Sequence, residues 1–458
     1  SKAFAAAVYR PPVSVPAVQQ TDTRMVFAHY FPPYPISQDN QQSASDSYAK
    51  ALGPINDSSS AAYGGVLRDR PLPATSTSGS WQVANQEIEV REAMAAGING
   101  FSVDILNLSD QRWSQTLGLL QAAQNVSSNF AVMAMPDMAS LASATPEQLA
   151  AALAEFASYK AAYALSDGRL VVSPYAAEKR TPSWYTQVFS ILSAKYHIQV
   201  AFVPLLINFK QNWAAFAPIS YGLSDWGHRT PTDVRGSISD ANVAHKAGKI
   251  WMQSVAVQAE RPISGTFTES DNTTALRDGW AGAISGNADW VQLVSWNDYS
   301  EGTQIEPSMN AGWSWLNINS YYIQQYKTGY VPTITEDVAV LSYRTQTIGA
   351  STQLDETSPM RLVAGSSPGR DAVEMLTILT APAQVQVTVG SQSYRYSAPG
   401  GLSTQIFPLQ SGTVSAQVLR SGRTILGTLG RGFDVSDHVY RQDLSYHAVT
   451  LIPSANGA

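Results

Sequence analysis

The chain has 458 residues, 44% of them hydrophobic and only 14% charged, with a net charge of −6 and no cysteine. The charged fraction is well below the usual value of about 25%, so polarity comes from Ser, Thr, Asn, Gln and Tyr, as suits work outside the cell or on uncharged substrates. Disulfides and thiolate metal or redox chemistry are excluded, the lack of a Lys/Arg cluster argues against nucleic acid, and no apolar run reaches the roughly 18–20 residues of a membrane span.

Residues 1–23 read as an extension, Ala/Pro/Val-rich at the start, without the basic and apolar regions of a signal peptide, which is expected to have been removed. A secreted or periplasmic bacterial protein fits. From residue 24 onward, nearly continuous apolar runs recur at 25–30, 100–106, 130–136, 169–173, 199–207, 219–223, 249–255 and 290–296. Runs of this kind are strands buried on both faces of a parallel sheet. Helical segments lie between them at 83–96, 109–125, 146–164, 182–195, 231–247, 274–285 and 313–327, with a short, poorly helical stretch near 210–216. Gly97 is a stop signal for the first helix, and Thr145-Pro146 and Thr230-Pro231 each place an N-cap before proline.

Eight strands alternating with about as many helices predict an α/β fold, a (β/α)8 TIM barrel spanning 24–330. A doubly wound sheet is the competitor, but no Gly-rich phosphate loop follows the first strand. The long connection at 31–81, rich in Ser, Gly, Pro and Asp, is expected to emerge at the active face and shape a cleft. After residue 330 the texture changes to short alternating segments between Gly/Ser turns, which predicts a C-terminal all-β sandwich over 331–458.

In a parallel barrel the functional groups gather where strands end. Those positions are His29, Tyr30, Asp104, Asp137, Tyr175, Asn208, Asp225, Trp226, Gln258, Asp298 and Glu301. Carboxylates and amides bond the hydroxyls of a neutral polyol, and aromatic faces stack on its C–H surface. The densest cluster follows the last strand: Trp296-Asn297-Asp298-Tyr299-Ser300-Glu301-Gly302. Glycosidic cleavage needs two carboxyl groups, one to protonate the leaving oxygen and one on the other side of the bond. Asp298 and Glu301 can both face a cleft if the chain turns between them. The competing reading makes Asp298 a helix cap and Glu301 the closing residue of a capping box. Asp104, Asp137 and Asp225 are equally readable as turn or salt-bridge residues, and His29 as a core histidine. Glu178 and Glu260 read as solvated loop residues. Trp81, Trp226, Trp296 and Tyr299 are the candidate stacking platforms. Six histidines without an HExxH pattern give no zinc site, and no nucleophile elbow or phosphate loop is present. No cofactor is expected.

At these residues the chain resembles glycoside hydrolase family 71, the α-1,3-glucanases or mutanases. The likeness runs through Val26-Phe27-Ala28-His29, Ala95-Ala96-Gly97-Ile98-Asn99-Gly100-Phe101, Pro136-Asp137-Met138, Ser224-Asp225-Trp226, Trp296-Asn297-Asp298-Tyr299 with Glu301, and Leu341-Ser342-Tyr343-Arg344-Thr345. The resemblance implies a barrel with a C-terminal sandwich that hydrolyses a polysaccharide, α-1,3-glucan, with inversion. It makes Glu301 the general acid and Asp298 the base. The strand-end positions and the aromatic cluster give His29, Tyr30, Asp104, Asp137, Asp225, Trp226, Trp296, Asn297 and Tyr299 as substrate-binding candidates. The tail Glu301-Gly302-Thr303-Gln304-Ile305-Glu306-Pro307 is similar instead to family 99, the endo-α-mannosidases, which are described as retaining. An α-mannosidase reading and a non-catalytic carbohydrate-binding protein are therefore the alternatives.

Overall fold

The computed structural model describes residues 9–33, 63, 65–73, 75, 78–231, 234–352, 359–430 and 432–454. The first half alternates strand and helix: β1 (Met25–Tyr30), α1 (Trp81–Ala95), β2 (Gly100–Ile105), α2 (Gln111–Val126), β3 (Ala131–Pro136), α3 (Pro146–Ala157), β4 (Leu170–Val172) and α4 (Pro182–Tyr196). It continues with β5 (Val200–Phe202), β6 (Leu205–Leu206), α5 (Phe209–Phe216), β7 (Gly222–Asp225), α6 (Val234–Lys246) and β8 (Ile250–Ala256). A hairpin, β9 (Ala259–Arg261) and β10 (Thr266–Thr268), precedes α7 (Thr274–Ser285), β11 (Trp290–Val294) and α8 (Ser314–Thr328). No helix among the described residues is long and apolar enough to cross a membrane.

The parallel sheet runs β5-β4-β3-β2-β1-β11-β8-β7-β6 and curls into a barrel, as the alternating pattern predicts. Closure goes through one strand broken into β5 and β6 at Pro204, which has no amide hydrogen for the ladder. Val203 donates to the Val172 carbonyl on one side, while the Phe202 and Pro204 carbonyls accept from Tyr221 and Ser224 on the other. The third helix and the sixth strand are among the elements that differ from expectation. The third helix ends at Ala157 because the chain then extends and inserts beside β3, with Val132 donating to Ala161 and Tyr163 donating to Val132. The sixth strand begins at Gly222, after a 3-10 turn at Ala217–Ile219.

The C-terminal β region contains β12 (Val338–Tyr343), β13 (Gln346–Thr352), β14 (Arg361–Leu362), β15 (Ala372–Leu379), β16 (Ala383–Val389), β17 (Gln392–Ala398) and β18 (Gly401–Pro408). It ends with β19 (Gly412–Arg420), β20 (Arg423–Gly427), β21 (Asp434–Val439), β22 (His447–Thr450) and β23 (Ile452–Pro453). One sheet is ordered β18-β15-β12-β22, and the facing sheet is built on β13-β21-β19-β16-β17. Ala339, Leu341, Val373, Met375, Val385, Val387, Ala416 and Val418 pack between them. β16 alternates as expected for a half-buried strand, whereas β12 and β15 are buried throughout. The reason is a second contact: their outer face, with Val338, Val340, Leu376 and Ile378, joins the apolar layer around the barrel helices.

Candidate active site

Strand alternation sorts the barrel side chains into two layers. Met25, Phe27, Ala131, Met133, Val171, Ala201, Val203, Met252 and Trp290 point inward and form an apolar floor. Each further step of two residues rises roughly 6.6–6.8 Å toward the carboxyl ends of the strands. There the inward positions turn polar, as His29, Asp104, Ser173, Ser254 and Gln292, all buried.

Above this layer four carboxyl groups converge. Burial pushes Asp104 well above the ordinary carboxylate range, and Asp137, Asp298 and Glu301 add to the effect through their charges. Asp298 is 8% exposed. Burial, then the charge of Glu301, raises it to about 7, while a hydrogen bond from Ser300 and the charge of Arg261 oppose the shift. The Ser300 hydroxyl lies 2.7 Å from Asp298 Oδ1. The Glu301 side chain, 25% exposed, is ion-paired with the Arg261 guanidinium. His29 Nε2 lies 3.7 Å from Asp104 Oδ2. Burial and then the Arg229 charge lower the imidazole to about 3, so the ring is neutral and the contact is no ion pair at neutral pH. The aromatic wall is Trp226, half-buried, with His29 and Tyr175 edge-on at 4.9 and 5.0 Å. Arg229 lies 5.0 Å from the indole ring centre and donates to the Trp226 carbonyl at 2.7 Å.

The segment after β11 is a compact turn, and α8 begins only at Ser314, so the capping-box reading does not hold. The Asp298 amide donates to Ser295 Oγ at 2.9 Å, and its carbonyl accepts from Thr303 at 3.2 Å. Asn297 exchanges both of its amide bonds with the Phe31 backbone, at 2.7 and 3.1 Å, which ties the turn to the end of β1. The Tyr299 hydroxyl donates to buried Glu306 at 2.9 Å. Trp296, fully buried, packs on Phe101 with ring centres 5.1 Å apart. These three residues therefore hold the turn and do not line the mouth. The rest of the tail does similar work. Thr303 Oγ1 lies 2.7 Å from Ser295 Oγ, and Gln304 donates to Asp69 at 3.0 Å. Gly302 adopts φ +62°, where a Cβ would lie 3.1 Å from the Glu260 backbone.

Other expectations need correction. Tyr30 faces the helix layer, where its hydroxyl meets Glu89 at 2.5 Å, because His29 takes the inward position of that strand. Asp225 also faces outward, like Leu223 two residues earlier. It lines a cavity of about 190 Å³ with Lys210, His228 and Asp240, and burial and Asp240 raise it to about 7. Asp137 is engaged as a turn residue, accepting from the amides of Ala139 and Ser140 at 2.8 and 3.0 Å, although its charge reaches Asp104. Gln258 and Glu260 bond Tyr446 and Leu444 of the C-terminal β region, and Glu260 is 2% exposed, so it is no solvated loop residue. Glu178 accepts from the Asn208 amide at 2.8 Å, and Asn208, exposed, starts α5. Trp81 is the first residue of α1. Arg229 and Arg261 were not anticipated. The signal for Arg261 was a Glu-Arg-Pro-Ile-Ser-Gly-Thr turn after the seventh strand, a hairpin pattern. Most of the 31–81 connection lies outside the described residues. Its stretch 65–73 runs beside the tail, where Leu72 donates to Pro307 and Met309 donates to Arg70.

Comparison with known proteins gives the family. Residues 74–453 match the model of glycosyl hydrolase family 71. A glucan endo-1,3-alpha-glucosidase of Schizosaccharomyces pombe is 27% identical over 379 residues, 76% of this chain and 87% of the relative. A mutanase of Penicillium rubens is 24% identical over 392 residues, 78% of this chain and 82% of the relative. Both relatives are fungal, whereas the sequence alone pointed to a bacterial source. Among solved structures, a family 99 endo-alpha-mannosidase of Bacteroides thetaiotaomicron superposes with a TM-score of 0.52 at 16% identity, over 68% of this chain and 99% of that one, a likeness of fold. With a family match across most of its length and a carboxyl-rich barrel mouth, the chain belongs to glycosyl hydrolase family 71.

Proposed function

We propose that the protein is an extracellular α-1,3-glucanase that cleaves its glycan with Asp298 and Glu301 and inverts the anomeric centre. The observation that carries this reading is the gathering of Asp298, Glu301 and Asp104 in one polar mouth, with Trp226 and Tyr175 as an aromatic wall. Both named relatives act on α-1,3-glucan by name or class, which supports the substrate. Asp298, raised to about 7, exchanges a proton near neutrality, as a base that activates water must. Glu301 as the acid requires its pair with Arg261 to part when glycan enters. The endo-α-mannosidase alternative drew on the tail after Glu301. That tail is occupied in holding the turn through Gly302, Thr303, Gln304 and Glu306, so the shared residues report common architecture and not a common sugar. A binding protein would have no need of the acid pair.

Asp298→Asn and Glu301→Gln are each expected to lower turnover on α-1,3-glucan by about 10²–10⁴-fold with the fold intact by circular dichroism. Azide should restore the first variant, and substrates with activated leaving groups the second. Near-normal rates in both variants would overturn the assignment. Assays on α-mannan and NMR of the first-formed anomer separate this reading from the retaining mannosidase.

A further inference from the structure

Arg261 stands on a hairpin between β8 and α7 that is held from two sides. In the β9–β10 hairpin, Arg261 pairs with Thr266 and Glu260 with Phe267. On one side the hairpin touches the catalytic turn. The Glu260 amide donates to the Glu301 carbonyl at 2.8 Å, the Arg261 guanidinium pairs with the Glu301 carboxylate, and Gly302 lies against the Glu260 backbone. On the other side it is anchored in the C-terminal β region. Gln258 donates to the Tyr446 carbonyl at 3.0 Å and accepts from the Tyr446 amide at 2.6 Å. Glu260 accepts from the Leu444 amide at 3.0 Å. β14 adds a third, parallel strand to β10, with Arg361 beside Thr266 and Leu362 beside Phe267.

The far root of the hairpin is fixed as firmly. Glu269 is fully buried, pairs with Arg344 at 3.0 Å and accepts from the Tyr446 hydroxyl at 2.7 Å. Arg344 is itself 1% exposed and donates to the Leu444 carbonyl at 2.6 Å. Phe267, Met360 and Leu444 form a small apolar cluster across the same junction. The ring of bonds therefore closes on one guanidinium: the sandwich grips both ends of the hairpin, and the hairpin's one contact with a catalytic carboxylate is Arg261.

Resting on the glucanase reading above, we infer that the C-terminal β domain is a working part of the active centre, holding through Gln258, Glu260 and Glu269 the hairpin whose Arg261 positions Glu301. Arg261 is a positioning residue in the unliganded enzyme. It sets the carboxylate's direction, and its charge also opposes the upward shift of Asp298, the neighbouring charges being Glu301, Arg229 and Asp104.

Three readouts on the full chain test this. Arg261→Met, at a side chain 44% exposed, should lower kcat on α-1,3-glucan oligosaccharides at least tenfold with the fold intact by circular dichroism. It should also move the limb of the pH–rate profile that reports Asp298 to higher pH, and Arg261→Lys should recover most of both. Gln258→Leu should lower kcat in the wild-type background and have little further effect in Arg261→Met, because it acts through that residue. Hydrogen exchange, which needs no substrate turnover, should quicken across 296–306 in Gln258→Leu. Wild-type kcat and pH profile in Arg261→Met, additive effects in the double variant, or unchanged exchange would each overturn the inference. A wild-type enzyme inactive on α-1,3-glucan whose Gln258→Leu form still shows faster exchange would sink the substrate reading alone.

Discussion

Asp298 has a stability consequence as well as a chemical one. Its carboxyl is raised to about 7 in the folded chain, against about 3.9 for an unfolded aspartate. Between those values the native state keeps a proton that the unfolded chain has released. Stability therefore falls as pH rises through that window, and the full penalty is present above about pH 7. The amide that replaces the carboxyl in Asp298→Asn cannot ionise and escapes the penalty. That variant should be more stable than wild type at pH 8 by up to roughly 4 kcal/mol, with the difference shrinking as pH falls below about 7 and gone by about pH 3. Denaturant midpoints across that range measure it, and a gap independent of pH would contradict the burial argument. The same residue shows how far a sequence carries. Strand ends can be found from apolar runs, so Asp104, Asp298 and Glu301 were found at the rim. Which of two adjacent residues points inward is a matter of parity. Tyr30 and Asp225 each sit one step from an inward neighbour, His29 and Trp226, and a one-residue error sends a side chain to the opposite layer.

At the scale of elements, two identical dipeptides met different fates. Thr145 caps α3 with a complete capping box, its hydroxyl accepting from the Gln148 amide at 3.2 Å while Gln148 accepts from the Thr145 amide at 2.9 Å. Thr145→Ala should lower stability by about 1 kcal/mol and leave kcat unchanged. A thermal melt paired with a rate assay checks both halves of that statement. Thr230, also before proline, accepts at its hydroxyl from the Ser367 amide at 2.9 Å in the C-terminal β region, and α6 begins at Val234. The first outcome was legible because every partner lies within one turn. The second was not, because its partner is 137 residues away. The β9–β10 hairpin escaped notice for a related reason. Each strand has three residues, too few for a period to declare itself, and the hairpin's order comes from the sandwich that grips it.

Across the whole molecule, the barrel and the sandwich share one apolar layer. Val340, Leu376 and Ile378 lie in the same packed cluster as Trp315, Leu316 and Ile318 of α8. Polar contacts follow the same seam: Ser314 Oγ lies 2.9 Å from Thr450 Oγ1, and the Ala448 amide donates to the Asn310 carbonyl at 2.9 Å. The change of texture near residue 330 falls between the end of α8 and the start of β12, but such a change says nothing about how much surface is shared. Apolar residues at both parities of β12 and β15, Val338 to Leu341 and Met375, Leu376, Ile378 and Leu379, were the available signal, since a strand buried on both faces needs two neighbours. The consequence is cooperative unfolding. Leu376→Ala removes a fully buried side chain from the seam and should cost about 2–5 kcal/mol. All 11 tryptophans fall between residues 81 and 315, so intrinsic fluorescence reports mainly on the barrel, with Trp315 at the seam. If the two halves unfold together, this substitution in the sandwich lowers the fluorescence midpoint as much as the midpoint followed by circular dichroism. A fluorescence transition left in place while the dichroism transition splits would mean that the barrel stands without its partner, and the hairpin carrying Arg261 would then need another support.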